Sequence, residues 1–485
     1  MFLGVDIGTS AVKVVAVDRS GMLTEQSAAE LSVQRPGPLM SEQDPAEWWS
    51  ATGLAVSRIS AATRAQVQCI GLSGQMHGAT LLDSAGRVIR PAILWNDGRS
   101  VNECSELEAR LPELGRITGN LAMPGFTAPK LLWLRKHEPG NFSRMRTTLL
   151  PKDFIRLQMT GDMASDMSDA AGTLWLDTGA RRWSDAALHA CGMSLANVPA
   201  LFEGSELTGT LRAKVASDWG MQRVPVAAGG SDNAAGAVGS GTVRAGDSTL
   251  SLGTSGVTFL ADGAYRPGPA GGVHTFCHAL PGRWHQMSVM LSAASAVDWV
   301  ASMAGYAGAP ELCAAAAERN RPNSRELFLP YLAGERTPHN NPYAQGVFFG
   351  VTATTDRVAL GQAALEGVGF ALADGLDALL NTGAQIRTLS VIGGGAQSEY
   401  WGRILSAIFD RPLIYRQAAA IGPAYGAARL ARLALTREDV DAVCQAPPIV
   451  SEIAPEPALR DHLAARRSLF QKLYRQLEPL YRENS

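Results

Sequence analysis

The sequence predicts an α/β protein of two domains, and three observations carry that expectation. The chain has 485 residues, more than a single hydrophobic core usually serves. The segment Ile7-Gly8-Thr9-Ser10-Ala11-Val12 returns as Leu252-Gly253-Thr254-Ser255-Gly256-Val257, each copy flanked by strand-like runs. After each copy, strand and helix patterns alternate, as they do in α/β folds.

Phe2 to Val17 reads as two β-branched-rich strands joined at Gly8-Thr9-Ser10, where glycine supplies the permissive backbone of a hairpin. Gln68 to Leu72 is the next clear strand. Val224 to Ala228 is another, and Pro225 marks the expected boundary between a first domain, residues 1–223, and a second, residues 224–485. The second hairpin runs from Ser248 to Leu252 and from Val257 to Leu260. From Asp356, a candidate N-cap, to Leu380 the chain is rich in Ala and Leu and apolar nearly all round, the pattern of a buried helix. Thr388 to Ile392 reads as a strand and Ser398 to Phe409 as a helix. Between Asp461 and Tyr481, residues Leu463, Phe470, Leu473, Leu477 and Leu480 recur at helical spacing among charges, predicting an amphipathic surface helix.

Composition narrows the function classes. Hydrophobic residues at 46% and charged residues at 18% describe an ordinary globular chain. Lys and Arg total 43 against 45 Asp and Glu, a net charge of -2, so no global basic field attracts nucleic acid or anionic lipid. Neither is an expected partner. Cys69, Cys104, Cys191, Cys277, Cys313 and Cys444 are scattered without a CxxC pair, which predicts reduced, mostly buried thiols rather than zinc ligands or a disulfide framework. No leader precedes the first strand, and no run approaches the roughly 18–20 apolar residues that span a bilayer. A cytoplasmic location is expected.

Four places could carry chemistry. In Asp6-Ile7-Gly8-Thr9-Ser10 the turn offers consecutive amide donors and hydroxyls beside a carboxylate, a set able to cradle phosphate and hold hydrated Mg2+. A plain hairpin explains a single copy equally well. The second copy, Gly253-Thr254-Ser255, has Ser251 where the first has Asp6, so two phosphate turns with one carboxylate would grip a metal-nucleotide from both sides. Asp232 follows the strand and glycine turn Val226-Ala227-Ala228-Gly229-Gly230-Ser231 and opens a helix above the carboxyl end of a strand, where α/β proteins expose chemistry. A carboxylate there can accept a hydroxyl proton during phosphoryl transfer; an N-cap or first-turn Asp that satisfies helix amides and the dipole is the competing reading. Gly393-Gly394-Gly395 ends a strand and lets backbone approach a nucleotide, although it matches neither the P-loop nor the dinucleotide fingerprint. His77, in Gln75-Met76-His77-Gly78, ends a first-half strand, and a structural imidazole is the alternative there. His274, His278 and His285 lack carboxylate company, which argues against a metal site.

Taken together these residues resemble the FGGY family of carbohydrate kinases. Gly125-Phe126-Thr127-Ala128-Pro129-Lys130-Leu131-Leu132-Trp133-Leu134-Arg135-Lys136-His137 is similar to the family's first signature. Gly346-Val347-Phe348-Phe349-Gly350-Val351, continuing to Ala363-Ala364-Leu365-Glu366, is similar to the second except at Ala359, where a polar residue is usual. The resemblance spans essentially the whole chain. It implies the actin-like ATPase fold (ribonuclease H-like, hexokinase-type), a deep cleft between two domains, and ATP with Mg2+.

Gln75-Met76-His77-Gly78, Leu94-Trp95-Asn96-Asp97-Gly98-Arg99 and Gly334-Glu335-Arg336-Thr337-Pro338 are most like members acting on D-xylulose. Members acting on glycerol carry an Arg-Glu pair in place of Met76-His77. By that resemblance Met76, His77 and Asn233 contact the sugar, and Asp232 accepts the proton and is a further candidate at the metal. Asp6 holds Mg2+ through water, Gly8-Thr9-Ser10 and Gly253-Thr254-Ser255 meet the phosphates, and Gly393-Gly394-Gly395 meet adenosine. A family member acting on ribulose, gluconate or glycerol is the alternative, and an actin- or Hsp70-like ATPase module a more distant one. A homodimer is also carried as an expectation, with the aromatic residues near Phe348-Phe349 and the C-terminal helix as the surfaces that could support it.

Overall fold

Two mixed sheets of seven strands each form the centres of the molecule. The computed structural model describes residues 1–320, 325–417 and 422–483. The first sheet contains β1 (Phe2–Ile7), β2 (Ala11–Val17), β3 (Leu23–Glu30), β4 (Cys69–Gly74), β5 (Leu207–Thr210), β6 (Pro225–Ala227) and β7 (Gly230–Ser231). Its order is β5-β6-β4-β1-β2-β3, and β7 also pairs with β4. The second contains β8 (Asp247–Leu252), β9 (Gly256–Asp262), β10 (His274–Cys277), β11 (Trp284–Met290), β12 (Thr388–Ile392), β13 (Leu413–Arg416) and β14 (Ile449–Ile453). Its order is β10-β11-β9-β8-β12-β13-β14.

The duplication seen in the turn sequences extends across both sheets. β1 is antiparallel to β2 and parallel to β4, just as β8 is antiparallel to β9 and parallel to β12. Outside these, β4 pairs parallel with β6 and β12 with β13. Every residue of β1 is buried, as expected where a strand is covered on both faces. The strand expected to open the second domain closes the first sheet instead, because Val226 of β6 pairs with Ile70 of β4. A short apolar strand looks the same in sequence whichever sheet it joins, so the boundary drawn at Pro225 falls inside the first sheet, which extends to Ser231.

The helices used below are α1 (Thr127–His137), α2 (Pro151–Thr160), α3 (Met167–Ala171), α4 (Asp232–Ser240), α5 (Arg357–Asn381), α6 (Glu399–Phe409), α7 (Pro423–Thr436) and α8 (Pro457–Glu483). Asp356 caps α5, its carboxylate accepting from the Ala359 amide at 2.9 Å, and α5 is buried without a break from Gly361 to Leu376. On α8 the buried residues are Leu463, Phe470, Tyr474 and Tyr481, with Leu473 and Leu477 partly covered, while Leu480 is 51% exposed. The stripe therefore lies slightly around the helix from the leucines. Tyrosine rings supply its apolar area, and the Tyr474 hydroxyl accepts from Asn341 Nδ2 at 3.2 Å.

Although it comes late in the chain, α7 lies on the first sheet. A Cβ on Gly4 of β1 would stand 1.9 Å from the Ala424 carbonyl oxygen, and one on Gly71 of β4 1.9 Å from that of Ala427. On the other side of α7, a Cβ on Gly426 would stand 1.7 Å from the Ala235 carbonyl oxygen of α4. Only glycine permits these backbone approaches. Ala424, Ala428, Ala431 and Ala434 of α7 then complete a core with Phe2, Val15, Val17, Cys69 and Ala227. All six cysteines are free and buried. Among the described residues, no helix is long and apolar enough to cross a membrane.

Candidate active site

Asp232 is the first residue of α4, directly after β7, and Ser231 occupies the N-cap position. Its Oδ1 accepts from the Asn233 amide at 2.7 Å and from Asn233 Nδ2 at 3.1 Å. The carboxyl thus accepts from an amide of the helix's first turn, as the competing reading expects, while Ser231 rather than Asp232 stands at the N-cap. Burial raises its pKa to about 6, with the Asn233 amide pulling the other way.

Asp6 lies near the end of β1, buried, with Oδ1 lacking a hydrogen-bond partner among the described residues. Its pKa is pushed up to about 7, first by burial and then by the charge of Asp232, while Lys13 opposes the shift. Lys13 was not singled out in the sequence, yet the hairpin register sets it opposite Asp6. The available signal was a lone exposed lysine between buried Val12 and Val14.

The parallel pairing of β1 with β4, Ile7 opposite Gly74, brings Gly8-Thr9-Ser10 beside Gln75-Met76-His77. Likewise, pairing of Ser251 with Ile392 brings Gly253-Thr254-Ser255 beside Gly393-Gly394-Gly395. The two glycine amides close their own turns, Gly8 N onto Ala11 O at 3.0 Å and Gly253 N onto Ser255 O at 3.1 Å. The Thr9 hydroxyl is also engaged, donating to Gln75 Oε1 and accepting from the half-exposed Trp95 indole, both at 3.0 Å. Gly393 has φ 98°, and a Cβ there would lie 2.6 Å from the Leu252 carbonyl oxygen, so glycine is required where that loop leaves the sheet.

At the same end of β4, Met76 is buried and its Sδ lies 3.7 Å from Asn233 Nδ2. His77 has a left-handed backbone, φ 69°, which costs a residue with a side chain free energy unless its surroundings impose it. The restraint is visible. The His77 carbonyl accepts from Thr127 Oγ1 at 3.1 Å and Lys130 Nζ at 2.9 Å, and its ring lies 4.5 Å from that of Phe126. Nδ1 lies 2.6 Å from the Gly172 carbonyl oxygen, which assigns the proton to Nδ1 and leaves Nε2 as an acceptor. Burial, with Lys130 adding, lowers the His77 pKa to about 3, so the ring is neutral. Thr127, Lys130 and Gly172 were missed as supports because they act on backbone or ring nitrogen rather than through a motif of their own.

A pH dependence follows from these shifts. A base must be unprotonated, so kcat/KM is expected to be level above about pH 7 and to fall as the pH drops through about 6. His77 does not titrate in that range, so the acid limb should persist in His77→Gln. A profile flat down to about pH 5 would contradict the assignment of that limb to the carboxyls.

The pattern described as "FGGY family of carbohydrate kinases, N-terminal domain" matches residues 1–239, and the corresponding C-terminal domain matches residues 248–435. The chain belongs to the FGGY carbohydrate kinases. It is 52% identical to a xylulose kinase of Escherichia coli strain K12 over 483 residues, covering 99% of this chain and 100% of that one. It is 49% identical to a xylulose kinase of Klebsiella pneumoniae over 482 residues, again covering 99% and 100%. The crystal structure of a xyloylose kinase from Brucella ovis superposes with a TM-score of 0.95 at 47% identity, covering 99% of both chains.

In this FGGY chain the two signatures do different work. The first forms α1 and the residues that hold His77. The second forms the strand Gly346–Phe349, paired with Leu327–Pro330, where Phe348 stacks on Phe328 at 4.4 Å and Glu366 of α5 meets Arg466 of α8 at 2.6 Å. Its contribution is to packing in the second half. The three discounted histidines lie buried with phenylalanine rings around them, His285 stacked 4.5 Å from Phe259 and His274 5.8 Å from Phe126.

Beneath Asp232 lies a fully buried charge cluster that the sequence reading did not anticipate. Lys152 Nζ is 2.5 Å from Asp153, 2.8 Å from Asp166 and 3.5 Å from Asp169. Burial works against the ammonium, but the three aspartates outweigh it and hold its pKa above the ordinary value. Asp166 accepts from the Ser168 amide at 2.7 Å, and Ser168 Oγ accepts from the Ser231 amide at 3.0 Å. Arg156 donates to the Ala227 and Ala228 carbonyls. The cluster thus grips the backbone on its way to Asp232.

Proposed function

We propose that this FGGY kinase transfers the γ-phosphoryl group of ATP to the C5 hydroxyl of D-xylulose, giving D-xylulose 5-phosphate. The observation that carries the reading is Asp232, a carboxylate raised to about 6 and set between the Met76-His77 pair and the Asp6 hairpin. The choice of D-xylulose rests on the full-length likeness to the two xylulose kinases above.

Asp232 accepts the hydroxyl proton as attack proceeds. His77 Nε2 accepts from a sugar hydroxyl, Asn233 adds a polar contact, and buried Met76 bounds the pocket. The turns Gly8-Thr9-Ser10 and Gly253-Thr254-Ser255 hold the phosphates, and Gly393-Gly394-Gly395 face adenosine. Among the described residues the unpartnered Asp6 Oδ1 beside Asp232 suits a hydrated divalent cation, so Asp6 would hold Mg2+ through water, with Asp232 a further candidate for it. When bound, Mg2+ neutralises phosphate charge and so favours transfer. Closure of the cleft around both substrates excludes water as a competing acceptor. The enzyme works in the cytoplasm, as a homodimer.

The test is a coupled ADP-release assay with Mg-ATP and D-xylulose, D-ribulose, L-ribulose, gluconate, glycerol or no sugar. Release strongest with D-xylulose is expected. Stronger release with another sugar would move the specificity, and release indifferent to every sugar would overturn the kinase reading.

A further inference from the structure

The segment Glu335-Arg336-Thr337 is tied to the end of β11. Thr337 N donates to Val289 O at 3.1 Å, Val289 N to Thr337 Oγ1 at 3.0 Å, and Leu291 N to Glu335 Oε1 at 3.0 Å. Thr337 Oγ1 donates in turn to Gly272 O at 2.8 Å. The same Glu335 Oε1 also accepts from the Arg336 amide at 2.7 Å, so two backbone donors hold that oxygen, and the charge of Glu335 acts on Arg336 without a direct ion pair. The Arg336 guanidinium has no ion pair or side-chain hydrogen bond among the described residues, although the residue is half-buried. A guanidinium so placed keeps its donors available to a ligand.

Thr337, next in the chain, is bonded to Gly272, two residues before His274, so Arg336 stands on the His274 side of the Phe126 ring. The charge of Arg336 acts on the rings of both His77 and His274. Those rings lie on either side of Phe126, with centroids 4.5 Å and 5.8 Å from it. The segment therefore belongs to the His77 end of the site.

Substrate chemistry supplies the occupant. A 2-ketopentose closes into a five-membered ring through its C5 oxygen, so the C5 hydroxyl is free to be phosphorylated only in the open-chain form. That form carries a bare C2 carbonyl, which accepts hydrogen bonds and cannot donate. A guanidinium donates and cannot accept. Resting on the D-xylulose reading above, we infer that Arg336 donates to the C2 carbonyl oxygen and so selects the open-chain ketose. With Asp232 engaging C5, the sugar is held at both ends, by a base that opens α4 and a cation from the far side of the cleft.

The experiment compares Arg336→Met and Arg336→Lys with wild type on two ligands, D-xylulose as substrate and xylitol, in which CH(OH) replaces the carbonyl, as competitive inhibitor. Arg336→Met is expected to lower kcat/KM for D-xylulose by about 10- to 100-fold, the range for losing a charged hydrogen bond. The xylitol inhibition constant should move less than about threefold, because its hydroxyl can turn to other partners. Arg336→Lys, which keeps a cationic donor without the planar fork, should fall between. Equal losses on both ligands, or ketose kcat/KM near wild type in both variants, overturn the inference. Thermal melting separates either result from misfolding, with the lysine variant deciding should the methionine variant fail to fold. A wild-type enzyme that does not turn over D-xylulose would instead overturn the substrate reading itself.

Discussion

Asp232→Ala is expected to lower kcat by at least about 10³-fold, within the range assigned to a positioned general base, while Mg-ATP binding stays within a few fold of wild type. The loss corresponds to about 4 kcal/mol of transition-state stabilisation. Binding should survive because the turns Gly8-Thr9-Ser10 and Gly253-Thr254-Ser255 and the loop Gly393-Gly394-Gly395, proposed above to hold the nucleotide, do not depend on this carboxylate for their shape. Among the described residues Asp232 bonds only to its neighbour Asn233, so its removal strands no distant donor among them. Steady-state kinetics with D-xylulose and calorimetric titration with Mg-ATP separate the two effects. Turnover within tenfold of wild type would remove Asp232 from the role of base.

Lys152→Met is expected to cost about 3–5 kcal/mol of folding stability, the range for breaking a buried ion pair by deleting one partner, out of the roughly 5–15 kcal/mol that holds a typical protein folded. Asp153, Asp166 and Asp169 are fully buried around this ammonium. The nearest remaining cation, Arg156, lies 4.0 Å from Asp153. The sign of the pH effect is distinctive. Burial, reinforced by the neighbouring aspartates and Asp232 against the pull of Lys152, already holds the Asp169 carboxyl well above its ordinary value. Without Lys152 the folded state would favour protonated aspartates further. The variant should thus lose stability as pH rises and recover part of it as pH falls towards 5. Urea unfolding at about pH 8 and about pH 5.5 measures this; a deficit under about 1 kcal/mol at both would show the cluster to be dispensable.

What could be read from the sequence divides along physical lines. The paired hairpins were legible because a tight turn between buried strands demands glycine and hydroxyl residues at fixed places. Asp232 was legible because strand, glycine turn and small helical residues are local features. The allegiance of β6 was hidden, since its partner Ile70 lies far away in sequence. So was the restraint on His77, whose carbonyl bonds to Thr127 and Lys130 leave no mark on the residues around it. The Lys152 cluster was hidden for the same reason, since its aspartates look like ordinary surface charges until the fold buries them. On α8 leucines outranked tyrosines in the hydrophobic count, although Tyr474 and Tyr481 face inward.

The seating of α7 on β1 and β4 bears on how the chain is made. β1 begins at Phe2 and leaves a ribosome well before the alanines that cover its glycine-lined face, Ala424 to Ala434. Domains usually fold as units in N-terminal order, but here one face of the first sheet stays uncovered until α7 has appeared. A fragment stopping at Ser240 would expose that face. The two halves should therefore be difficult to express apart, and nascent chains should need shielding of β1 and β4 until α7 arrives.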